Sequence, residues 1–401
     1  MLGIPGRWAV AGALVVALAV TALVRATNDR GIDVRAAGEA ETPPARPVTT
    51  SARAATDPAG RALIVWAEAG DIWLYQAATG ERRALTHDGE AQAEYLPAFH
   101  GPDRVTFVAD DDRPENDFRP GAGSRSSVIR EVELSTGRTR ELTRIEGGVA
   151  ALDWSPDGST LAIYLSGGDD NASELHFLRS GRQTLIRRFG PVAGRGGFVN
   201  YDEWKVDWAP DGRRLFVQDT GLDTSQEETL YVLDTEGRDA VAPRGGTWAR
   251  WGADGQTVYC VCALHPGDEN WGWQAIDIGT GVGTPLLLER GMRPAVSPDG
   301  RFLAFDDGED VPAVHVLELS PGSLPRRVAG SAIAPLWLDG GHLAVTDTIP
   351  CPDTPEECDA GGHGSMFRPA GTASAVDIAS GERTSIAPLS TDNADVAYRS
   401  G

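Results

Sequence analysis

The segment Trp154-Ser155-Pro156-Asp157-Gly158 decides the fold, because close copies of it return along the chain. Each copy predicts a tight turn: Pro presets φ at the first corner, Asp can cap the turn with its side chain, and Gly supplies a positive φ. Near-copies begin at Trp208, Trp251 and Val296, and degenerate relatives begin at Phe99 and Trp337. The Asp residues of these six turns follow one another at intervals of 54, 54, 43, 45 and 40 residues. A repeat of roughly 40 to 50 residues with strand content is typical of β-propeller blades.

A β-rich strand leaves each of these turns, for example Leu161-Ala162-Ile163-Tyr164, and a second glycine turn follows further on. The second turns end at Gly80, Gly137, Gly181, Gly237, Gly281, Gly322 and Gly381. The sequence therefore contains seven glycine turns but only six complete first turns, because the turn at 57–60 lacks its leading strand. The first blade therefore needs an innermost strand from elsewhere in the chain.

The C-terminal segment Ala394-Asp395-Val396-Ala397-Tyr398-Arg399 offers that strand, because it resembles Ala151-Leu152-Asp153-Trp154. A C-terminal strand in the first blade would close the ring and remove both exposed sheet edges. The sequence therefore predicts an all-β fold, a β-propeller of seven blades closed by the C-terminal strand, with six blades as the alternative. We assign the propeller domain to residues 57–401.

The repeats resemble those of the TolB-like propellers, whose sequences carry the same first turn. Gly70-Asp71-Ile72-Trp73-Leu74-Tyr75, leading to Arg83-Ala84-Leu85-Thr86, adds to the resemblance, which covers about residues 57–401. TolB itself is a six-bladed periplasmic protein with an additional α/β domain that contacts the peptidoglycan-associated lipoprotein. Residues 27–56 are too few for that domain, so the resemblance implies the fold and not a translocation role.

Residues 1–26 are predicted to be a signal anchor or a signal peptide, because an uncharged apolar run extends from Trp8 to Val24. Residues 27–56 carry almost no large apolar side chain and should form a disordered tether. We therefore expect a single-pass protein of the cell membrane with an extracytoplasmic C-terminal domain. A secreted protein is the alternative, if the chain is cleaved after Ala26.

The chain has a formal net charge of −22. A surface of this sign repels phosphate backbones and argues against nucleic-acid binding. We expect a monomer whose partner is an envelope protein, a peptide or a glycan ligand, with membrane contact only through the N-terminal segment.

Acidic residues concentrate in the connections between the second and third strands of the blades, which a propeller places on one face. The candidate ligand-binding residues there are Asp110, Asp111, Asp112, Asp169, Asp170, Asp268, Glu269, Asp307, Glu309 and Asp310. Carboxylate oxygens suit Ca²⁺, so a cation or a cationic ligand could bind at the channel mouth. The alternative is a repulsive charged coat that keeps the protein soluble, since no calcium-loop spacing is present. We predict no other cofactor.

Trp271 and Trp273 belong to one of these connections. They could line a site for a glycan or a cationic ligand, or they could pack between blades.

The four Cys residues suggest disulfides in an exported chain. Cys351 and Cys358 flank a short loop and are predicted to be bridged, with a zinc site that includes His363 as the alternative. Cys260 and Cys262 lie two apart on one strand face, a spacing that does not favour a mutual bridge. Buried thiols or pairing with another loop are the expectations for them.

Catalytic motifs are absent from the sequence: it contains no G-x-S-x-G and no H-E-x-x-H. We therefore expect a non-catalytic, envelope-associated propeller that binds a protein, peptide or cell-wall ligand through its acidic loop face. The alternative function is a propeller enzyme, a lyase or a glycoside-active protein, that uses carboxylates at the channel mouth.

Overall fold

A computed structural model describes residues 62–68, 70–77, 79–87, 93–110, 126–165, 172–191, 205–219, 229–241, 244–263, 271–287, 291–309, 311–351, 367–387 and 395–398. Its regular elements in these ranges are 27 β-strands, without a helix. The fold is all-β and has seven blades, as the sequence predicts. Residues 1–61 fall outside this set, so the signal or anchor at 1–26 and the tether at 27–56 stay predictions. None of the described residues belongs to a helix capable of spanning a membrane.

The first three blades are four-stranded antiparallel sheets. Blade 1 contains β1 (Ala62–Glu68), β2 (Asp71–Gln76), β3 (Glu81–Ala84) and the last strand of the chain, β27 (Asp395–Tyr398). Blade 2 contains β4 (Ala93–Phe99), β5 (Arg104–Asp110), β6 (Ser126–Glu133) and β7 (Thr139–Glu146). Blade 3 contains β8 (Val149–Trp154), β9 (Thr160–Leu165), β10 (Ala172–Arg179) and β11 (Arg182–Pro191).

Blades 4 and 5 share a strand. Blade 4 contains β12 (Lys205–Trp208), β13 (Arg214–Asp219) and β14 (Thr229–Asp234), and blade 5 contains β15 (Arg244–Trp251), β16 (Thr257–Ala263), β17 (Trp271–Asp277) and β18 (Gly283–Leu287). The first two residues of β15 pair with β14, and its remainder pairs with β16. The two blades therefore form one continuous seven-stranded sheet.

The last two blades return to four strands each. Blade 6 contains β19 (Met292–Val296), β20 (Phe302–Asp306), β21 (Ala313–Glu318) and β22 (Arg326–Gly330). Blade 7 contains β23 (Ala332–Trp337), β24 (His342–Pro350), β25 (Phe367–Asp377) and β26 (Arg383–Ala387). We label the strands of each blade a to d in the order in which they pair, so that β27 is strand a of blade 1.

The a strands form the inner ring of the propeller. β27 contacts β4, and the contacts continue from β4 to β8, β12, β15, β19 and β23. Strand b of every blade runs antiparallel to strand a, so all b strands end on one face of the ring. We call it the b–c face, and the opposite face, which carries the turns between strands a and b, the a–b face.

The ring is closed by the C-terminal strand. β27 pairs antiparallel with β1, with Ala62 opposite Tyr398 and Ile64 opposite Val396. The buried apolar residues form seven clusters, and each cluster spans one boundary between neighbouring blades. One of them joins blade 7 to blade 1 through Trp66, Leu338 and Ala344. Closure of seven blades by the C-terminal strand is therefore confirmed.

The repeated first turns have the predicted geometry. The Asp carboxylate accepts a backbone hydrogen bond from the residue two positions on, at 2.9 Å for Asp157, Asp211 and Asp254, and at 3.1 Å for Asp299. The hydrogen bonds from the Ser155 hydroxyl and from Ser159 lower the pKa of Asp157 to about 2. All seven second turns end in a glycine with φ between 68° and 81°. Both turn predictions are confirmed.

Three of the four Trp residues of the first turns connect neighbouring blades through a hydrogen bond. The indole Nε1 of Trp154 donates to Thr106 Oγ1, that of Trp251 to the Asp207 carbonyl, and that of Trp337 to the Ala295 carbonyl, each at 2.9 Å. Each acceptor belongs to the preceding blade. The repeated Trp therefore has a structural function that its recurrence alone does not reveal.

Cys260 and Cys262 form a disulfide with each other, so the expectation of separate thiols or distant pairing is wrong. The Cα atoms are 5.6 Å apart, within the range that a disulfide spans. Two glycines, Gly246 on β15 and Gly272 on β17, lie directly opposite Cys262. Gly246 leaves space for the bridged sulfur, because a Cβ atom at that position would meet Cys262 Sγ. Cys351 is also disulfide-bonded, but Cys358 lies outside the described residues, so their pairing stays a prediction.

Candidate ligand-binding face

The b–c face carries acidic residues in several blades. Four of the seven b strands end in one: β1 in Glu68, β5 in Asp110, β13 in Asp219 and β20 in Asp306. Because the blades repeat one topology, these four strand ends lie on the same face of the ring. The face therefore collects carboxyl groups from separate parts of the sequence.

The connections between strands b and c on this face are strongly acidic. They contain 18 Asp and Glu residues against three Arg, counted over 111–125, 166–171, 220–228, 264–270, 307–312 and 351–366. Most of them lie outside the described residues, among them Asp111, Asp112, Asp169, Asp170, Asp268, Glu269 and Asp310. Their proposed roles stay predictions.

Asp110 connects two strands of its own blade. Its carboxyl group is 2 % exposed, and Tyr95 Oη donates a hydrogen bond to Asp110 Oδ2 at 2.6 Å. Tyr95 lies on β4 and Asp110 ends β5, so the bond joins strands a and b at the channel side of the b–c face. The sequence identified Asp110 as a candidate ligand but gave no sign of its hydroxyl partner.

Asp306 connects two blades. It is fully buried, its carboxylate lies 3.3 Å from Arg293 Nη1 in the same blade, and its Oδ2 accepts a hydrogen bond from the backbone N–H of Ala334 in blade 7 at 3.1 Å. Gln218 has the equivalent role between blades 4 and 5, because its Oε1 accepts from the Ala249 N–H at 3.1 Å. The polar residue near the end of strand b thus holds strand a of the following blade.

Four of the inner strands are bulged, among them the two that receive these bonds. Leu96, Trp248, Arg293 and Ala334 have φ between 49° and 52°, and the pairing of their strands shifts register at these residues. A left-handed conformation is unfavourable for residues with a side chain. Arg293 is placed by such a bulge against Asp306 and over the ring of Trp248. Arg293 was not predicted from the sequence, in which only the following Pro294 indicates an irregular strand.

Asp307 and Glu309 lie in the connection from β20 to β21. Asp307 accepts a hydrogen bond from the Ala313 N–H at 2.9 Å, and its Oδ2 lies 3.0 Å from the His315 ring. Glu309 is exposed, and its carboxylate has no hydrogen bond or ion pair with any described residue. Glu309 is therefore accessible to a ligand, while Asp307 shapes the connection that carries it.

Trp273 is fully buried and belongs to the core between blades 5 and 6. Its ring packs against that of Phe305, with centroids 5.4 Å apart. Trp273 was interpreted either as part of a ligand site or as packing between blades. Its position corresponds to the second interpretation. Trp271 begins β17, and its side chain is outside the described part of the chain.

Metal ligation has no support among the described residues, where no three His, Cys, Asp or Glu side chains come together. Asp110 and Asp306 have protein partners. Ca²⁺ binding, one of the two interpretations of the acidic connections, stays a prediction.

The a–b face carries a polar cluster that the sequence analysis missed. His100 stacks on Trp154 with ring centroids 3.7 Å apart, and its Nδ1 lies 2.5 Å from Glu131 Oε2. Arg140 donates to Glu131 Oε1 through Nε at 3.0 Å and Nη2 at 2.7 Å. Burial alone would raise the pKa of Glu131, but the hydrogen bonds and charges of His100 and Arg140 outweigh it and lower that pKa. The i, i+2 spacing of Glu131 and Glu133 on one strand face was the available signal.

Comparison with known proteins supports the fold. No protein-family model matches the chain, and no curated protein matches it significantly. A solved structure of a functionally unknown protein from Desulfotomaculum acetoxidans is similar, with a TM-score of 0.51 at 14 % identity over 84 % of this chain and 98 % of that chain. TolB from Acinetobacter baumannii is also similar, at 16 % identity and a TM-score of 0.43 over 68 % of this chain, which spans 64 % of the TolB chain.

An oligogalacturonate lyase in complex with manganese is a third similar structure, at 14 % identity and a TM-score of 0.48, covering 65 % of this chain and 74 % of that chain. At 14 % identity, the similarity to the Desulfotomaculum acetoxidans protein shows the fold alone. With its seven blades and repeated turns, the chain has the fold of a TolB-like β-propeller.

Proposed function

We propose that the protein is a non-catalytic, envelope-associated β-propeller that binds a basic protein, peptide or cell-wall ligand through its b–c face. The N-terminal segment would hold it at the membrane, with the propeller on the extracytoplasmic side. The observation that carries the proposal is the separation of charge between this face and the outer strands.

The outer strands of the blades are basic, whereas the connections on the b–c face are acidic. The described d strands β3, β7, β11, β18, β22 and β26 contain ten Arg residues against three Glu. A charged coat that served only solubility would not need this separation. Like charges gathered on one face repel one another, and a cationic partner relieves that repulsion.

The scaffold beneath the face supports a binding role. Asp306 and Gln218 fix the inner strands of the following blades, so the strand ends on which the connections are mounted are held in place. A rigid platform of this kind keeps the ordering cost of binding low.

The proposal is tested by titrating the full-length, detergent-solubilised protein with an Arg-rich peptide and with a Glu-rich peptide of equal length. We expect binding of the basic peptide only, weakened by salt. The double variant Glu309→Gln, Asp310→Asn should raise its Kd roughly three- to tenfold, since each surface ion pair with the peptide contributes up to about 1 kcal/mol.

The matched control is Glu236→Gln with Glu382→Gln, which removes two exposed carboxylates from turns on the a–b face. Its Kd for the basic peptide should equal that of the unaltered protein. Equal weakening by both double variants would mean that net charge and not the b–c face attracts the peptide, and the proposal would fail.

A further inference from the structure

A second polar surface lies on blade 2 near the a–b face, far along the strands from the acidic connections. Two cross-strand rows share one side of this blade. In the first, Glu131 on β6 lies opposite Thr106 on β5 and Arg140 on β7. In the second, Glu133 pairs with Arg104 on β5, and its backbone N–H bonds to the Arg138 carbonyl. Together the rows place three Arg and two Glu side chains around one cleft of about 430 Å³.

The carboxylates of this cleft are already occupied. Glu131 is held by His100 and by two nitrogens of Arg140, and its side chain is 3 % exposed. Glu133 Oε2 accepts a hydrogen bond from Thr136 Oγ1 at 2.6 Å. The two acids are therefore used within the protein.

Two of the three guanidinium groups, those of Arg104 and Arg138, are not held by short hydrogen bonds of this kind to described residues. The Arg138 side chain makes no hydrogen bond or ion pair with any residue that the structure describes. Arg104 comes no closer than 4.0 Å to a described carboxylate, that of Glu131, and its side chain is 46 % exposed. Guanidinium groups present planar pairs of N–H donors that match the oxygens of carboxylates and phosphates.

We propose that this cleft is an oxyanion site, in which the carboxylate or phosphate group of an acidic ligand binds between Arg104 and Arg138. Arg140, fixed by Glu131, forms its back wall. Such a site is distinct from the b–c face in both position and charge preference, and it would let the propeller hold an acidic ligand and a basic partner at once.

The space beside Arg140 indicates the size of the ligand. Arg140 also lines an adjoining cleft of about 470 Å³ between blades 2 and 3, together with Trp154, Leu142, Leu178, Ser159 and Ser180. His100 and Glu141 line this cleft as well. Its apolar side chains and two hydroxyl groups suit the uncharged body of a small organic acid whose anionic end binds at the arginines.

Thermal unfolding of the full-length protein with inorganic phosphate or succinate tests the site, with NaCl at equal ionic strength as the reference. We expect one of the two anions, at about ten times its Kd, to raise Tm by about 1 to 3 °C. A response to phosphate alone identifies a phosphorylated ligand, and a response to succinate alone a carboxylated one. The double variant Arg104→Gln, Arg138→Gln should lose the response.

Arg213→Gln is the control, because Arg213 is an exposed arginine of another a–b turn, outside the cleft. It should keep the full response. Both altered side chains of the double variant are exposed, so its Tm without anion should match that of the unaltered protein and show that it folds. A response that survives in the double variant, or that exceeds NaCl for neither anion, overturns the proposal. Binding of the basic peptide should be unchanged in the double variant, so failure of one site is distinguishable from failure of the other.

Discussion

At the scale of single residues, Gly246 allows a disulfide to form in the middle of blade 5. A Cβ atom at Gly246 would lie 2.6 Å from Cys262 Sγ, closer than a carbon atom and a sulfur atom can pack. The glycine therefore makes room for the disulfide between Cys260 and Cys262. The pairing escaped sequence analysis because the spacing of two residues on one strand argues against it, while the opposing glycines become visible only once strand register is known.

Replacing Gly246 with Ala should destabilise the protein by about 2 kcal/mol, since a fixed disulfide and a rigid sheet cannot yield without distortion. Denaturant unfolding measures the change. Gly279→Ala is the control, because the atom nearest to a methyl group at that position would be Asp277 Oδ1, at 3.4 Å in an exposed turn. The cost of Gly246→Ala should shrink in a Cys262→Ala background, and an unchanged cost there would show that the sulfur is not the obstacle.

The strand and its turn form the repeating element, and most of this level follows from sequence. The Asp caps and the glycines of positive φ were predicted because each depends on residues within a few positions of one another. The bonds between blades were not, because the Asp306 to Ala334 contact and the indole hydrogen bonds of the repeated Trp join residues about 30 to 50 positions apart. The same limit hid the cluster of His100, Glu131 and Arg140.

The repeated Trp residues provide a prediction at this scale. Trp251 and Trp208 are 6 % and 5 % exposed, but only Trp251 donates its Nε1–H to the preceding blade; Trp208 Nε1 has no partner among the described residues. Trp251→Phe should therefore cost about 1 to 2 kcal/mol more than Trp208→Phe, because it leaves the Asp207 carbonyl without its donor. Chemical denaturation of both variants checks the difference. An equal loss of unfolding free energy in the two variants would show that the Trp residues stabilise the fold by packing alone.

At the scale of the whole molecule, closure of the ring by the C-terminal strand brings the acidic connections of separate blades onto one face. Seven core clusters follow one another around the ring, and the cluster between blades 7 and 1 completes it. The residues of β1 that pair with β27 are almost fully buried, from Ala62 to Val65. Without β27 this apolar strand would become an exposed edge, and the acidic connections of separate blades would no longer share one rigid face.

The direct test of this architecture compares a chain that ends at Ala394 with one that ends at Tyr398. The first lacks β27 and the second keeps it. Opening the ring should lower Tm by about 5 °C or more, equivalent to about 4 kcal/mol for a domain of this size, and should weaken binding of the basic peptide. The chain that ends at Tyr398 should melt like the full-length protein. Identical melting temperatures for the two chains would contradict closure by the C-terminal strand, and with it the single acidic face on which the proposed function depends.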